Sequence, residues 1–285
     1  MIARLFLRWC QLSTLALLLC LAAILGFLLM RGGPVIGLPL FFGDTPAMEA
    51  LMGHSPVWDG IWPACLGTLT VVFLAIALAL VPGIACGIWL AVMPKGRFST
   101  LLGLGIDILA GTPSILMGLF GFNLILFLRN TFAPSANTCL LLSSLCLAML
   151  VLPYMAVSTR AALLSVPRAL STTALSLGLS RWQALWHIQL PQAKRGIWGG
   201  VMLSLGRAAE DTAVIMLTGV VANAGIPGGL FERYEALPFT IFYFSAQYMD
   251  YAELERAFGA ALVLLCLTAT LFALAGALQK GARRK

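Results

Sequence analysis

Residues 65–92 read CLGTLTVVFLAIALALVPGIACGIWLAV, twenty-eight positions without a charge. A bilayer core about 30 Å thick is crossed by roughly 20 apolar residues of helix. This stretch reads as a transmembrane helix. Five others read the same way: Leu12–Met30, Leu101–Leu128, Cys139–Val157, Gly199–Val221 and Ala257–Leu278. The expectation is an all-α membrane protein with six transmembrane helices. Barrel strands are shorter and alternate in polarity, a pattern that none of the six follows.

The whole chain agrees with this reading. Of 285 residues, 60% are hydrophobic and 10% are charged, with a mean hydropathy of +0.96. Soluble chains carry about 25% charged residues, so this one cannot coat a water-facing surface. Disordered chains are poor in apolar residues. The 28 glycines have no three-residue period and the seven cysteines are too few for a disulfide scaffold in so long a chain. Those cysteines sit in or beside apolar stretches without a C-x-x-C pair and read as small buried hydrophobes.

The formal net charge of +7 points to topology and not to nucleic acid, because the basic residues lie between apolar stretches. With both termini cytoplasmic, the inner segments hold Arg4, Arg8, Lys95, Arg97, Arg160, Arg168, Arg181, Lys194, Arg195, Lys280, Arg283, Arg284 and Lys285. That is 13 of 18 basic residues and no acidic one, a strong positive-inside bias. His54 and His187 then fall on opposite sides, so no metal site is expected. The first span reads as an uncleaved anchor. Its apolar run is too long for a usual signal peptide, and Leu19 before Cys20 is not the small residue a lipoprotein site needs. Residues 1–64 form this anchor and an outer loop. Residues 65–285 form the transmembrane domain, with an inner loop over 158–198.

Three features break the apolar monotony. In the fifth span, Arg207-Ala-Ala-Glu210-Asp211-Thr212 places Arg207, Glu210 and Asp211 at i, i+3 and i+4, on one helical face. Such a trio either fastens two helices as a neutralised cluster or lines a solute path, where intramembrane charges usually face a wet cavity. An Arg fork matches a tetrahedral oxyanion. A neighbouring carboxylate can accept the proton of hydrogen phosphate, which sulfate lacks. In the third span, Leu109-Ala-Gly-Thr-Pro113-Ser114-Ile115 with Gly118 breaks or kinks the helix, because Pro113 has no N–H. This is either an ordinary proline kink or a place where freed carbonyls line a cavity. Asp107 lies one to two turns earlier.

The third feature is the inner loop, which is basic and amphipathic. Pro167 opens a short helix as its first residue. Gly178 and Ser180 mark a break, and Arg181–Leu190 reads as a second helix ended by Pro191. A folded loop of this kind suits docking of a soluble partner or the lipid surface. No G-x-x-x-x-G-K-[ST] occurs, and no catalytic constellation assembles. The expectation is therefore a non-enzyme, without a cofactor, whose ATP site, if one is used, belongs to another subunit.

The inner loop resembles the EAA loop of binding-protein-dependent ABC importer permeases, EAA-x3-G-x9-I-x-L-P. Gly178, Ile188, Leu190 and Pro191 match at the required spacing, and Ala174 matches the last EAA residue, whereas Thr172 and Thr173 replace the first two. The chain is more specifically similar to the phosphate permeases of the Pst system. Leu109–Gly118 looks like L-A-G-x-P-S-I-x-x-G, and Arg207–Ala213 looks like R-A-x-G-E-T-A, with Glu210 in place of the Gly and Asp211 in place of the Glu. Leu237-Pro-Phe-Thr-Ile-Phe242 resembles a segment of the A-type subunit. The resemblance implies the six-span, MetI-like permease fold in the inner membrane. It implies a second homologous permease, two ATP-binding subunits and a periplasmic phosphate-binding protein. It implies a substrate pathway at Arg207, Glu210, Asp211, Thr212, Pro113 and Ser114, and ATPase coupling through Ala174, Gly178, Ile188, Leu190 and Pro191. A permease for molybdate, tungstate or sulfate and a membrane sensor or scaffold are the competing readings.

Overall fold

The computed structural model describes residues 2–51, 57–93 and 96–281. His54, Lys95, Arg283, Arg284 and Lys285 lie outside the described residues. Helices dominate: α1 Ile2–Gly32, α2 Leu38–Phe42, α3 Ala47–Leu51, α4 Trp62–Val92, α5 Arg97–Gly111, α6 Ser114–Thr131, α7 Leu140–Leu164, α8 Arg168–Ser176, α9 Arg181–Ala184, α10 Leu190–Glu210, α11 Ala213–Thr218, α12 Leu237–Gln247 and α13 Tyr251–Gly281. Among the described residues the sole β feature is an isolated bridge between Val220 and Tyr234. Five helices are long and apolar enough to cross a bilayer: Arg4–Val35, Trp62–Val92, Ser114–Thr131, Leu140–Leu164 and Tyr251–Ala277. The fifth expected span, which carries three charges, forms α10 and α11 instead of one helix.

The chain divides into two compact units, residues 1–62 with 240–266, and residues 63–239 with 267–285. In the first, the end of α1 meets α13 at Gly32, where a Cβ would come within 2.6 Å of the Phe258 carbonyl. Phe27 stacks edge-on against Phe258 at 5.5 Å. Phe42, Ala50 and Val57 form a small apolar cluster against Trp62.

In the second unit α7 is the central element. Gly83 and Gly87 of α4 approach it at Met155 and Thr159, and Gly196 and Gly200 of α10 approach it at Ala162 and Ser158. Both pairs have the four-residue spacing of small residues that lets membrane helices pack closely. Val71, Val72, Leu147, Val151, Met155 and Ile215 fill the core between them.

The inner loop departs from the sequence reading at its two prolines. Pro167 caps α8 from the position before its first residue. The second helix does not end at Pro191. A π turn over Leu185–Gln189 carries it into α10, and the Leu190 N–H bonds to the Leu185 carbonyl, five residues back. A proline inside a regular helix lacks one hydrogen bond and strikes the carbonyl four residues earlier; the wider π turn accommodates it.

Candidate functional site

The fifth span breaks because Asp211 offers its carboxylate to the chain. In an unbroken helix the Val214 N–H would reach the Glu210 carbonyl. It donates instead to Asp211 Oδ1 at 2.9 Å, and Asp211 is extended (φ −77°, ψ 116°). Short polar side chains compete with helix hydrogen bonds in this way. The second oxygen, Oδ2, lies 3.3 Å from the Arg207 guanidinium. The Asp211 side chain is 2% exposed and that of Arg207 38%. The buried carboxylate is thus paired and hydrogen-bonded, as buried charge must be, while its cation keeps an open side. Glu210 is exposed and Thr212 is half-buried. Among the described residues Glu210 forms no ion pair, so the expected trio is a pair.

The third span breaks at Pro113. With no N–H on Pro113, the Leu109 carbonyl is taken by the Thr112 N–H at 3.2 Å, and α6 starts afresh at Ser114. Ser114 is half-buried and Pro113 exposed. Gly118 brings α6 onto α11, where a Cβ would lie 2.9 Å from the Ala213 carbonyl and 3.2 Å from Val214 Cα. The two interrupted spans are therefore neighbours, joined just beyond their breaks. Asp107 is exposed on α5 and forms no ion pair among the described residues.

The inner-loop residues expected to couple to a partner have local structural roles. Ala174 and Gly178 are the two ends of a Schellman cap that stops α8. The Leu179 N–H bonds to the Ala174 carbonyl at 3.1 Å and the Gly178 N–H to the Leu175 carbonyl at 3.0 Å. Gly178 has φ +87°, the left-handed conformation such a cap requires. The Ala-x3-Gly spacing is that cap. Ser180 and Gln183 then form a capping box at the start of α9. Leu190 packs on a cluster of Ala162, Leu163, Leu185 and Ala193. Ile188 is half-buried and Pro191 exposed.

Sequence reasoning missed the segment 219–236. The Leu140 and Leu141 N–H groups, first of α7, donate to the carbonyls of Glu232 and Leu230. Thr68 of α4 receives the Leu237 N–H at 2.8 Å, and the backbone of Glu235 crosses α4 at Gly67. The buried Glu235 carboxylate accepts the Gly225 N–H at 2.8 Å. Burial pushes this carboxyl up to about 7, and the Gly225 hydrogen bond opposes the shift. The Gly-Ile-Pro-Gly-Gly run at 225–229, followed closely by Glu232, Arg233 and Glu235, was the available signal.

The family of binding-protein-dependent transport system inner membrane components matches residues 83–284. The phosphate transport system permease protein PstA of Haemophilus influenzae is 30% identical over 269 residues, 93% of this chain and 90% of that protein. PstC of Mesorhizobium japonicum is 29% identical, over 71% and 69%. Among solved structures, a bacterial transporter involved in alginate import has a TM-score of 0.61 at 15% identity, over 94% of this chain and 96% of the other. The inward-facing MetNI methionine transporter has 0.59 at 20% identity, over 84% and 98%. These two share the fold, which makes the expected MetI-like permease architecture the observed one. The chain belongs to the family of binding-protein-dependent transport system inner membrane components, in the branch that holds the phosphate transport system permeases.

Proposed function

We propose that this chain is a permease subunit of an ATP-driven importer and conducts inorganic phosphate across the inner membrane by alternating access. The observation that carries the reading is the Arg207–Asp211 pair at the break of the fifth span, with a buried carboxylate and a cation that is 38% exposed. A guanidinium half-neutralised by its own neighbour attracts an oxyanion without trapping it, and a translocation path needs both properties. Relatives named for phosphate transport at about 30% identity over most of the chain support the choice of solute. Glu210, Thr212, Pro113 and Ser114 complete the proposed path, because the α6–α11 contact puts both breaks on adjacent helices.

In this reading both termini are cytoplasmic and residues 1–64 form an anchor and periplasmic loop. The transmembrane domain is 65–285. Its loop 158–198 takes the stroke of two ATP-hydrolysing partner subunits through Ala174, Gly178, Ile188, Leu190 and Pro191. A second homologous permease and a periplasmic phosphate-binding protein complete the assembly. The chain itself hydrolyses nothing.

Radiolabelled phosphate uptake by cells dependent on this importer tests the proposal. Arg207→Gln should lower uptake at least tenfold while the assembled complex stays in the membrane at normal abundance. Unchanged uptake would mean the pair only fastens helices. Inhibition of wild-type uptake by excess molybdate or sulfate, as strong as that by unlabelled phosphate, would reassign the solute.

A further inference from the structure

A cleft of about 420 Å³ opens where the loop helices meet the ends of α4 and α7. Its walls are of two kinds. Val92 closes α4 and Leu163 and Leu164 close α7, so one wall continues the apolar surface of two membrane-crossing helices. The other wall carries Arg168 and Arg181, each the first residue of its helix. Residues 158–198 contain no Asp or Glu, and among the described residues neither guanidinium has an ion pair or hydrogen bond. Gln189 donates to Ser171 at 3.0 Å across the same cleft, which ties α8 to the π turn and holds both arginines on a built frame. Next to Arg181, Trp182 is 55% exposed and Trp186 61%. Half-exposed tryptophans beside basic residues mark the level of lipid headgroups.

We infer that this cleft binds the phosphoryl headgroup of an anionic lipid of the inner leaflet, with the glycerol and upper acyl chain along Val92, Leu163 and Leu164. Guanidinium forks fit phosphodiester oxygens bidentately, and basic pockets between membrane helices on the cytoplasmic side take such headgroups. A free phosphate ion gains nothing from the apolar wall, and an acidic protein segment gains little from it. The inference does not depend on which solute the permease conducts.

Native mass spectrometry of the purified full-length chain in neutral detergent is the test. Phosphatidylglycerol should survive on the protein where phosphatidylcholine is stripped. Arg168→Gln and Arg181→Gln should each lower its retention about fivefold, the loss expected for one interfacial arginine. The Arg168→Lys/Arg181→Lys double variant, which keeps charge and loses the fork, should retain more than the corresponding Gln double variant. Equal retention of both lipids, or an equal fall in the Lys and Gln pairs, would overturn the site. Displacement of the lipid by millimolar inorganic phosphate would reassign it to a free anion. Loss of binding of the cognate ATP-hydrolysing subunit in the Gln double variant, with phosphatidylglycerol retention unchanged, would reassign both arginines to an acidic protein segment.

Discussion

The two oxygens of Asp211 serve different neighbours, one the Val214 amide and the other the Arg207 guanidinium. That double use is what makes a charged pair tolerable at membrane depth, where an unpaired arginine costs about 2.5–3.5 kcal/mol on insertion scales. It also makes Arg207 the residue whose removal tests function cleanly, since Asp211 keeps its amide donor. Glu235 is a second buried carboxylate, but its sole described hydrogen bond comes from Gly225. Its carboxyl is raised by burial from 4.5 to about 7. A carboxyl raised on folding stabilises the folded state fully below its unfolded value, and that contribution is lost as pH climbs through the folded value. The melting temperature of the purified protein should therefore fall between about pH 4.5 and pH 7. Glu235→Gln, which keeps an acceptor for Gly225, should flatten that slope; an unaltered slope would assign it to other groups. The Arg207–Asp211 pairing was legible as an i,i+4 spacing. The exclusion of Glu210 was not, because it depends on where the helix ends.

At the scale of elements, the breaks matter more than the helices. Pro113 was readable as an interruption, because a missing N–H is a covalent property. Asp211 was not, because aspartate breaks a helix only where its side chain wins the competition for an amide. Pro191 was misread for the converse reason. A proline stops a regular helix, yet a π turn before it lets the chain continue from α9 into α10. The cap accounts for the glycine at 178, which takes φ +87° without strain, while burial accounts for the small side chain at 174. No atom lies within 4 Å of a Cβ added at Gly178, so a side chain there meets only backbone strain, about 1–2 kcal/mol at this φ. Gly178→Val should cut ATP-driven uptake severalfold at normal membrane abundance. Gly178→Asn, which tolerates the left-handed conformation, should restore most of it. Equal defects in the two variants would point to lost contact surface instead.

At the scale of the whole molecule, the asymmetry of the basic residues predicts an orientation that labelling can test. In cells whose native cysteines have been replaced, Arg181→Cys should react with a membrane-impermeant maleimide only in inverted vesicles, and Arg233→Cys only in intact spheroplasts. The opposite pattern would reverse the topology, and labelling of both from one side would refute the crossing between them. The long apolar runs and the proline at 113 are local covalent properties, and they were enough to determine an interrupted, α-helical membrane protein; the motifs at 109–118, 174–191 and 207–213 carried the resemblance to its family. Four features needed the tertiary structure: the packing of α7 between glycine pairs of α4 and α10, the α6–α11 contact at Gly118, the burial of Glu235 and the arginine-walled cleft. Each joins residues distant in the chain. Hydropathy records how apolar a segment is, but not which face a neighbouring helix will cover, and that coverage decides whether a charge is buried, paired or open to a solute.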